Sequence, residues 1–201
     1  MDIPQDGLLL TNRFTKAVDY ARQFHTEFRK GTRIPYMAHL LGVTAIVLAE
    51  AGRAIPVTED MAIAAILHDV VEDHGGLPRL QDVEKEFGPN VARMVLALSD
   101  TLAEDHDKKE GWDQRKTEYL ARLRNEPEDV LLISAADKLY NAKAILDDLR
   151  EIGPGVWERF KRGPDEQLWY FNSLLEIFQA RFQNRIVSEL ANVVGQISAE
   201  V

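Results

Sequence analysis

The sequence predicts an all-α fold in a single domain covering residues 1–201. Three observations carry that prediction. Apolar residues recur at helical spacing along nearly every segment, no stretch alternates as a half-buried strand does, and Gly or Pro punctuates the chain at helix-length intervals. No repeat, low-complexity tract or linker divides it.

The elements follow in order. A first helix is expected from Asn12 to Phe28, with Phe14, Ala17, Val18, Ala21 and Phe24 on one side, broken by "RKGTRIPY". A second runs from Met37 to Ala51. Thr58 caps a third, "EDMAIAAILHDVVEDH", which stops at Gly75-Gly76. "LQDVEKEFG" and "NVARMVLALS" are short helices joined at Gly88-Pro89. The stretch "DTLAEDHDKKEGW" has no apolar period and reads as an exposed loop. Helices then cover Asp113 to Arg124 and, after Pro127, "EDVLLISAADKLYNAKAILDDLREI". Gly153, Pro154 and Gly155 break the chain, and a last helical region starts at Asp165 and bends near Asn184. Its Trp169, Phe171, Leu174 and Phe178 either close the core or form a homodimer contact.

Composition excludes several classes. With no cysteine, any metal must be held by His, Asp or Glu. The net charge of −9 argues against nucleic-acid binding, which needs a basic footprint, but not against one anionic ligand held by a local patch. The longest uncharged run, Leu40 to Ala49, is far short of the roughly 20 residues of a membrane span. The N-terminus lacks the basic start of a secretory signal, so a cytoplasmic setting is the expectation.

"ILHDVVEDHGG" crowds His68, Asp69, Glu72 and Asp73 into otherwise aliphatic sequence. On one continuous helix these four share about 140° of arc, opposite the aliphatic residues. An acidic solvent-facing stripe is the plain alternative. Two further positions weigh against it. His39 opens an apolar helix, and Asp137 follows a nearly uncharged run, where a carboxylate is costly unless paired, for instance with Lys138. Asn141 lies one turn after Asp137 on the same side. His39, His68, Asp69 and Asp137 form a set suited to Mn²⁺, Fe²⁺ or Zn²⁺, and a dication would make the crowded carboxylates tolerable.

The order His…His-Asp…Asp resembles the HD-domain metal phosphohydrolases. Three blocks, "FRKGTRIPYMAHLLGVTAIV", "AAILHDVVED" and "ISAADKLYNAKAI", are similar to the alarmone hydrolase branch, the hydrolase domains of Rel/SpoT proteins and the small alarmone hydrolases. The resemblance implies an HD-type helical bundle in which His39, His68, Asp69 and Asp137 hold one Mn²⁺. It implies Glu72 and Asp73 as the catalytic acidic pair that positions or deprotonates the water. Arg29 and Lys30 would line the nucleotide pocket, and Asn141 would hold the sugar or phosphate part. The implied reaction is 3′-pyrophosphohydrolysis of ppGpp/pppGpp or ppApp/pppApp, releasing pyrophosphate by attack of a metal-bound water.

Arg33 and Ala144 depart from the family's pattern and leave the base preference open. Removal of the 2′-phosphate of NADPH, hydrolysis of a deoxynucleotide, and a catalytically silent nucleotide-sensing module are the alternatives. Lys108, Lys109, Arg115 and Lys116 are candidates to reach a phosphate chain, opposed by Glu104, Asp105 and Asp107, and Lys143 is a further candidate for the site.

Overall fold

The computed structural model describes residues 7–53, 55–103 and 110–201. The described residues form α-helices α1 (Asn12–Phe24), α2 (Met37–Leu48), α3 (Glu59–Leu67), α4 (Val70–Asp73), α5 (Gly76–Phe87), α6 (Pro89–Leu98), α7 (Trp112–Leu123), α8 (Glu128–Ile152), α9 (Pro164–Arg181) and α10 (Arg185–Glu200). A 3-10 helix, Gly153–Arg159, follows α8. Among the described residues the sole β-type pairing is an isolated bridge between Phe28 and Pro35.

The architecture is built around α8, which packs against α2, α3, α6, α9 and α10. From Val130 to Asp137 every side chain of α8 is buried, and all but Ser134 and Asp137 are apolar, as suits a central helix. Its one hydroxyl there, Ser134, is satisfied by the Tyr119 hydroxyl at 2.8 Å. α3 is likewise buried from Met61 to Leu67, and three alanines let its neighbours approach closely. Phe171, Leu174 and Phe178 of α9 are buried, so they close the core, while Trp169 stays 45% exposed. No helix among the described residues is long and apolar enough to cross a membrane.

Most expected boundaries hold to within a few residues. The break at Asn184 is a capped helix start, its side chain accepting from the Val187 N–H at 3.0 Å. The Gly75-Gly76 turn needs glycine, because Gly76 has φ +55° and a Cβ there would run into the Leu102 carbonyl.

Two expectations are corrected. The first helix ends at Phe24 rather than Phe28: His25 leaves the helical region (φ −89°, ψ 80°), and the chain folds back with Arg29 N–H to Ile34 O at 2.8 Å and Tyr36 N–H to Glu27 O at 2.9 Å. Phe28, outside the apolar stripe, is 59% exposed. The third helix is not continuous either. His68 Nδ1 bonds the Ala65 carbonyl at 2.8 Å, the acceptor that residue 69 would use in an unbroken helix, and the ladder restarts at Val70.

Candidate metal centre and cleft

The interruption between α3 and α4 aims the acidic cluster. His39, in the first turn of α2, and His68, at the end of α3, are each about 97–99% buried and bring their Nε2 atoms to 3.1 Å of each other. Asp69 Oδ2 lies 3.3 Å from the first and 3.1 Å from the second. Asp137 Oδ1, from α8, lies 3.4 and 3.6 Å from the same two nitrogens. Four donor atoms from three helices thus face one another.

Of those donors, His39, His68 and Asp69 lie close enough together to share a divalent cation, with Asp137 beside the two histidines. Ligands sharing one ion at about 2.0–2.2 Å lie roughly 3 Å apart. The His68 Nδ1–H is committed to the Ala65 carbonyl, which leaves the Nε2 lone pair pointing inward, as ligation requires. Two facing imidazole nitrogens also need something positive between them. In the protein alone a proton serves: burial works against charging His68, but Asp69 and Asp137 outweigh it and raise its pKa well above the ordinary histidine value. Burial pushes His39 the other way. Burial also opposes ionisation of Asp69 and Asp137, yet the histidines, and for Asp137 first Lys138, hold both carboxyls below the usual range.

Partners position each donor. Asp137 shares Oδ2 with Lys138 Nζ at 2.5 Å, the pairing expected of a core aspartate, and Oδ1 accepts from Asn141 Nδ2 at 2.6 Å. Asn141 Oδ1 in turn accepts from Arg29 Nη2 at 2.9 Å, and the Arg29 guanidinium lies over the Tyr140 ring, 5.6 Å from its centroid. Tyr36, assigned no role from sequence, donates its hydroxyl to Asp69 Oδ2 at 2.6 Å. Only its place three residues before His39 on the next helix hinted at this.

The cluster floors a cleft of about 700 Å³, within the range of small-ligand sites. Its walls include Arg29, Lys30, Lys116, Lys138, Lys143 and Arg159, so an acidic chain gathers cations around the cluster. Carboxylates Asp147, Asp148 and Glu151 line it too, with Arg159 bound to Asp148 at 2.5 Å. Glu72 and Ala144 line the cleft, whereas Asp73 and Arg33 do not. Asp73 ends α4, and its charge acts on Tyr36 and Glu72.

Glu72 is raised to about 7, by burial first and then by the Asp100 charge. The network behind it corrects the expectation for Arg115. That side chain is buried and bound to Asp100, with Nη1 3.5 Å from Glu72 Oε1, and does not line the cleft. Lys116 reaches the cleft and also binds Asp100 Oδ2 at 2.7 Å. Burial opposes ionisation of Asp100, but Lys116 and Arg115 bring its pKa down to about 2. The expected contacts of Glu104, Asp105, Asp107, Lys108 and Lys109 lie outside the described residues.

The HD domain family model matches residues 17–158, which contain all four donors. The chain belongs to the HD-domain family. Within it, the chain is 33% identical over 151 residues to the guanosine-3′,5′-bis(diphosphate) 3′-pyrophosphohydrolase of Mus musculus, covering 73% of this chain and 74% of the relative. The Drosophila melanogaster protein of the same name is 32% identical over 152 residues, covering 75% and 76%. Among solved structures, this HD domain is similar to a metazoan ortholog of SpoT described as hydrolysing ppGpp. The TM-score is 0.72 at 27% identity, with 94% of this chain and 97% of that one covered. A Listeria monocytogenes EGD-e protein superposes with a TM-score of 0.64 at 27% identity, over 79% of this chain and 97% of that one. The HD domain here is therefore the helical bundle expected from its sequence.

Proposed function

We propose that the chain is a single-domain, metal-dependent 3′-pyrophosphohydrolase of nucleotide alarmones, ppGpp/pppGpp or ppApp/pppApp, working in the cytoplasm. The observation that carries the reading is the convergence of His39, His68, Asp69 and Asp137 at a cleft that Arg29, Lys30, Lys116 and Lys143 also line. The names of the mouse and fly relatives support it. These four residues would hold one ion, with Mn²⁺ first and Fe²⁺ or Zn²⁺ as alternatives. When bound, that ion supplies Lewis-acid stabilisation of phosphoryl charge and makes water a usable nucleophile near neutral pH.

The chain's own groups do the rest. Arg29 is held flat by Asn141 and Tyr140, so it presents a pre-organised planar cation for base stacking or a bidentate phosphate contact. Lys30, Lys116 and Lys143 add point charges along the cleft. Glu72, raised to about 7, takes the proton of the attacking water as the bond between phosphorus and the nucleotide 3′-oxygen breaks. That oxygen takes up a proton from solvent and leaves as a 3′-hydroxyl, Glu72 returns its own proton to solvent, and the hydrated diphosphate departs as pyrophosphate. Asp73 completes the acidic pair by its charge on Glu72.

The test is chromatographic product analysis with Mn²⁺ on ppGpp, ppApp, their pentaphosphate forms, NADPH and deoxynucleotides, with Asp69→Asn and Glu72→Gln as controls. Pyrophosphate from one alarmone class, lost in both variants, is the expected result. Orthophosphate from NADPH alone would replace the alarmone reading. No turnover by protein that holds Mn²⁺ would leave a silent binding module.

A further inference from the structure

A second group of metal-type donors stands on the far side of Tyr36. His25 closes α1, Glu27 follows in the loop, and His74 closes α4. His25 Nδ1 lies 2.9 Å from Glu27 Oε1 and 3.2 Å from His74 Nε2, and the latter two atoms are 3.6 Å apart. We infer that His25, Glu27 and His74 form a second divalent-cation site, one for a borderline ion of the Zn²⁺ class.

The chemistry of the donors sets the ion class. Two imidazoles and one carboxylate suit zinc and its neighbours rather than Mg²⁺ or Ca²⁺, and a His₂Glu set leaves a fourth position open. The histidines are fixed by packing.

 The His25 side chain is fully buried and stacks on Tyr36, ring centroids 4.9 Å apart and planes 9° apart. The His74 ring stands edge-on to it at 4.5 Å, and Arg79 Nε anchors the His74 backbone carbonyl at 3.0 Å. Glu27 and His74 keep 41% and 26% of their side chains exposed, so an ion can enter from solvent without unfolding.

His25 Nδ1 stands within hydrogen-bonding distance of both Glu27 and His74, around one shared point. A cation takes that place, with the His25 proton carried on Nε2 instead. Nε2 is buried without a hydrogen-bond partner, so on ligation it carries an unpartnered N–H, a cost that the ion's binding has to outweigh. The two sites communicate through one side chain: the Tyr36 ring lies on His25, and its hydroxyl lies on Asp69. The inference concerns binding and is independent of the proposed reaction.

The test uses the full chain, stripped of metal and dialysed against Zn²⁺ alone, with bound zinc measured by elemental analysis. The variants are His74→Gln, Glu27→Gln, Asp69→Asn and the double variant His74→Gln/Asp69→Asn, each checked for retained helicity by circular dichroism. The expected result is two zinc ions per chain in the parent, loss of one in each single variant, and loss of both in the double. Binding of one ion that vanishes with His74→Gln but survives Asp69→Asn also supports the site, while removing the first one. Retention of the parent stoichiometry in both His74→Gln and Glu27→Gln overturns it. Co²⁺ substitution gives a second readout: the visible absorption of a four-coordinate site should be lost with Glu27→Gln, and an unchanged spectrum overturns the proposal.

Discussion

The Tyr36 hydroxyl donates to Asp69 Oδ2 at 2.6 Å, on the same oxygen that faces both His39 and His68. Burial, and then the Asp69 charge, raise the Tyr36 pKa well above the ordinary phenol value, so this group stays a donor throughout the working pH range. It therefore fixes which way the Asp69 carboxylate turns. Tyr36→Phe keeps the ring that stacks on His25 and removes only the hydroxyl. Loss of such a supporting contact should lower metal affinity or kcat/KM by about 10–100-fold while leaving the fold intact. Mn²⁺ titration beside steady-state kinetics checks it, and an unchanged affinity and rate would remove Tyr36 from the site.

Metal removal should register in stability as well as in activity. The four donors are assembled only in the folded chain, so an ion bound there stabilises it by mass action. At a hundredfold excess over Kd the gain is about 2.7 kcal/mol, which for a chain of this size is roughly 5–10 °C in Tm. Thermal melts with and without Mn²⁺ measure the shift. Asp69→Asn and Asp137→Asn should each abolish most of it, and a shift that persists in both would place the ion elsewhere.

A pH profile tests the assignment of Glu72. With its pKa at about 7, a Glu72 acting as base must be ionised, so kcat/KM should fall as the pH drops through that value. Asp100 raises the Glu72 pKa by its charge, while Arg115 and Lys116 stand beside both. In Asp100→Asn the negative charge goes and the two cations remain, so the acidic limb should move to lower pH. A limb that stays in place, or moves up, removes Glu72 as the group being titrated.

Much of this architecture is legible in the sequence because it rests on local signals. α8 runs over the segment read from its apolar period, and Pro127 and Gly153 bound it as expected. The last helical region breaks at Asn184, where the sequence predicts a bend, and the structure shows the Asn184 side chain capping α10. The break at His68–Asp69 is not legible, because it depends on one imidazole taking a backbone carbonyl, a contact with no periodic trace. The four donors are individually visible, but their convergence required three helices to pack. Arg115 illustrates the opposite failure. In a polar stretch it reads as an exposed cation, yet Asp100 and Glu72, 15 and 43 residues earlier in the chain, pull it inside.

The link between Arg29 and Asn141 predicts how ligand binding responds to substitution. Arg29 is held by a hydrogen bond to Asn141 Oδ1 and by the Tyr140 face, both of which use the planar guanidinium. Arg29→Lys keeps the charge and loses that geometry. KM should rise by about tenfold in Arg29→Lys and at least as much in Arg29→Ala, equivalent to roughly 1.4 kcal/mol of binding. A full rescue by lysine would show that charge alone is what the cleft requires.

Gly42 supplies a test in which the sign of a stability change reports on the site. It lies on α2, and a Cβ there would run into the edge of the Tyr140 ring. That ring packs against His39, with centroids 5.1 Å apart, and lies beneath Arg29. In an unobstructed helix, Gly→Ala stabilises by about 0.5–1 kcal/mol. Here the added methyl must displace an aromatic ring, and overpacking of that kind costs about 1–3 kcal/mol. Gly42→Ala should therefore lower Tm and, because Tyr140 supports Arg29, raise KM. The same substitution made in a Tyr140→Ala background meets no ring and should raise Tm. Thermal melts of the four proteins in this double-mutant cycle give the sign directly, and a stabilising Gly42→Ala in the parent would show that Tyr140 does not stand where the site needs it.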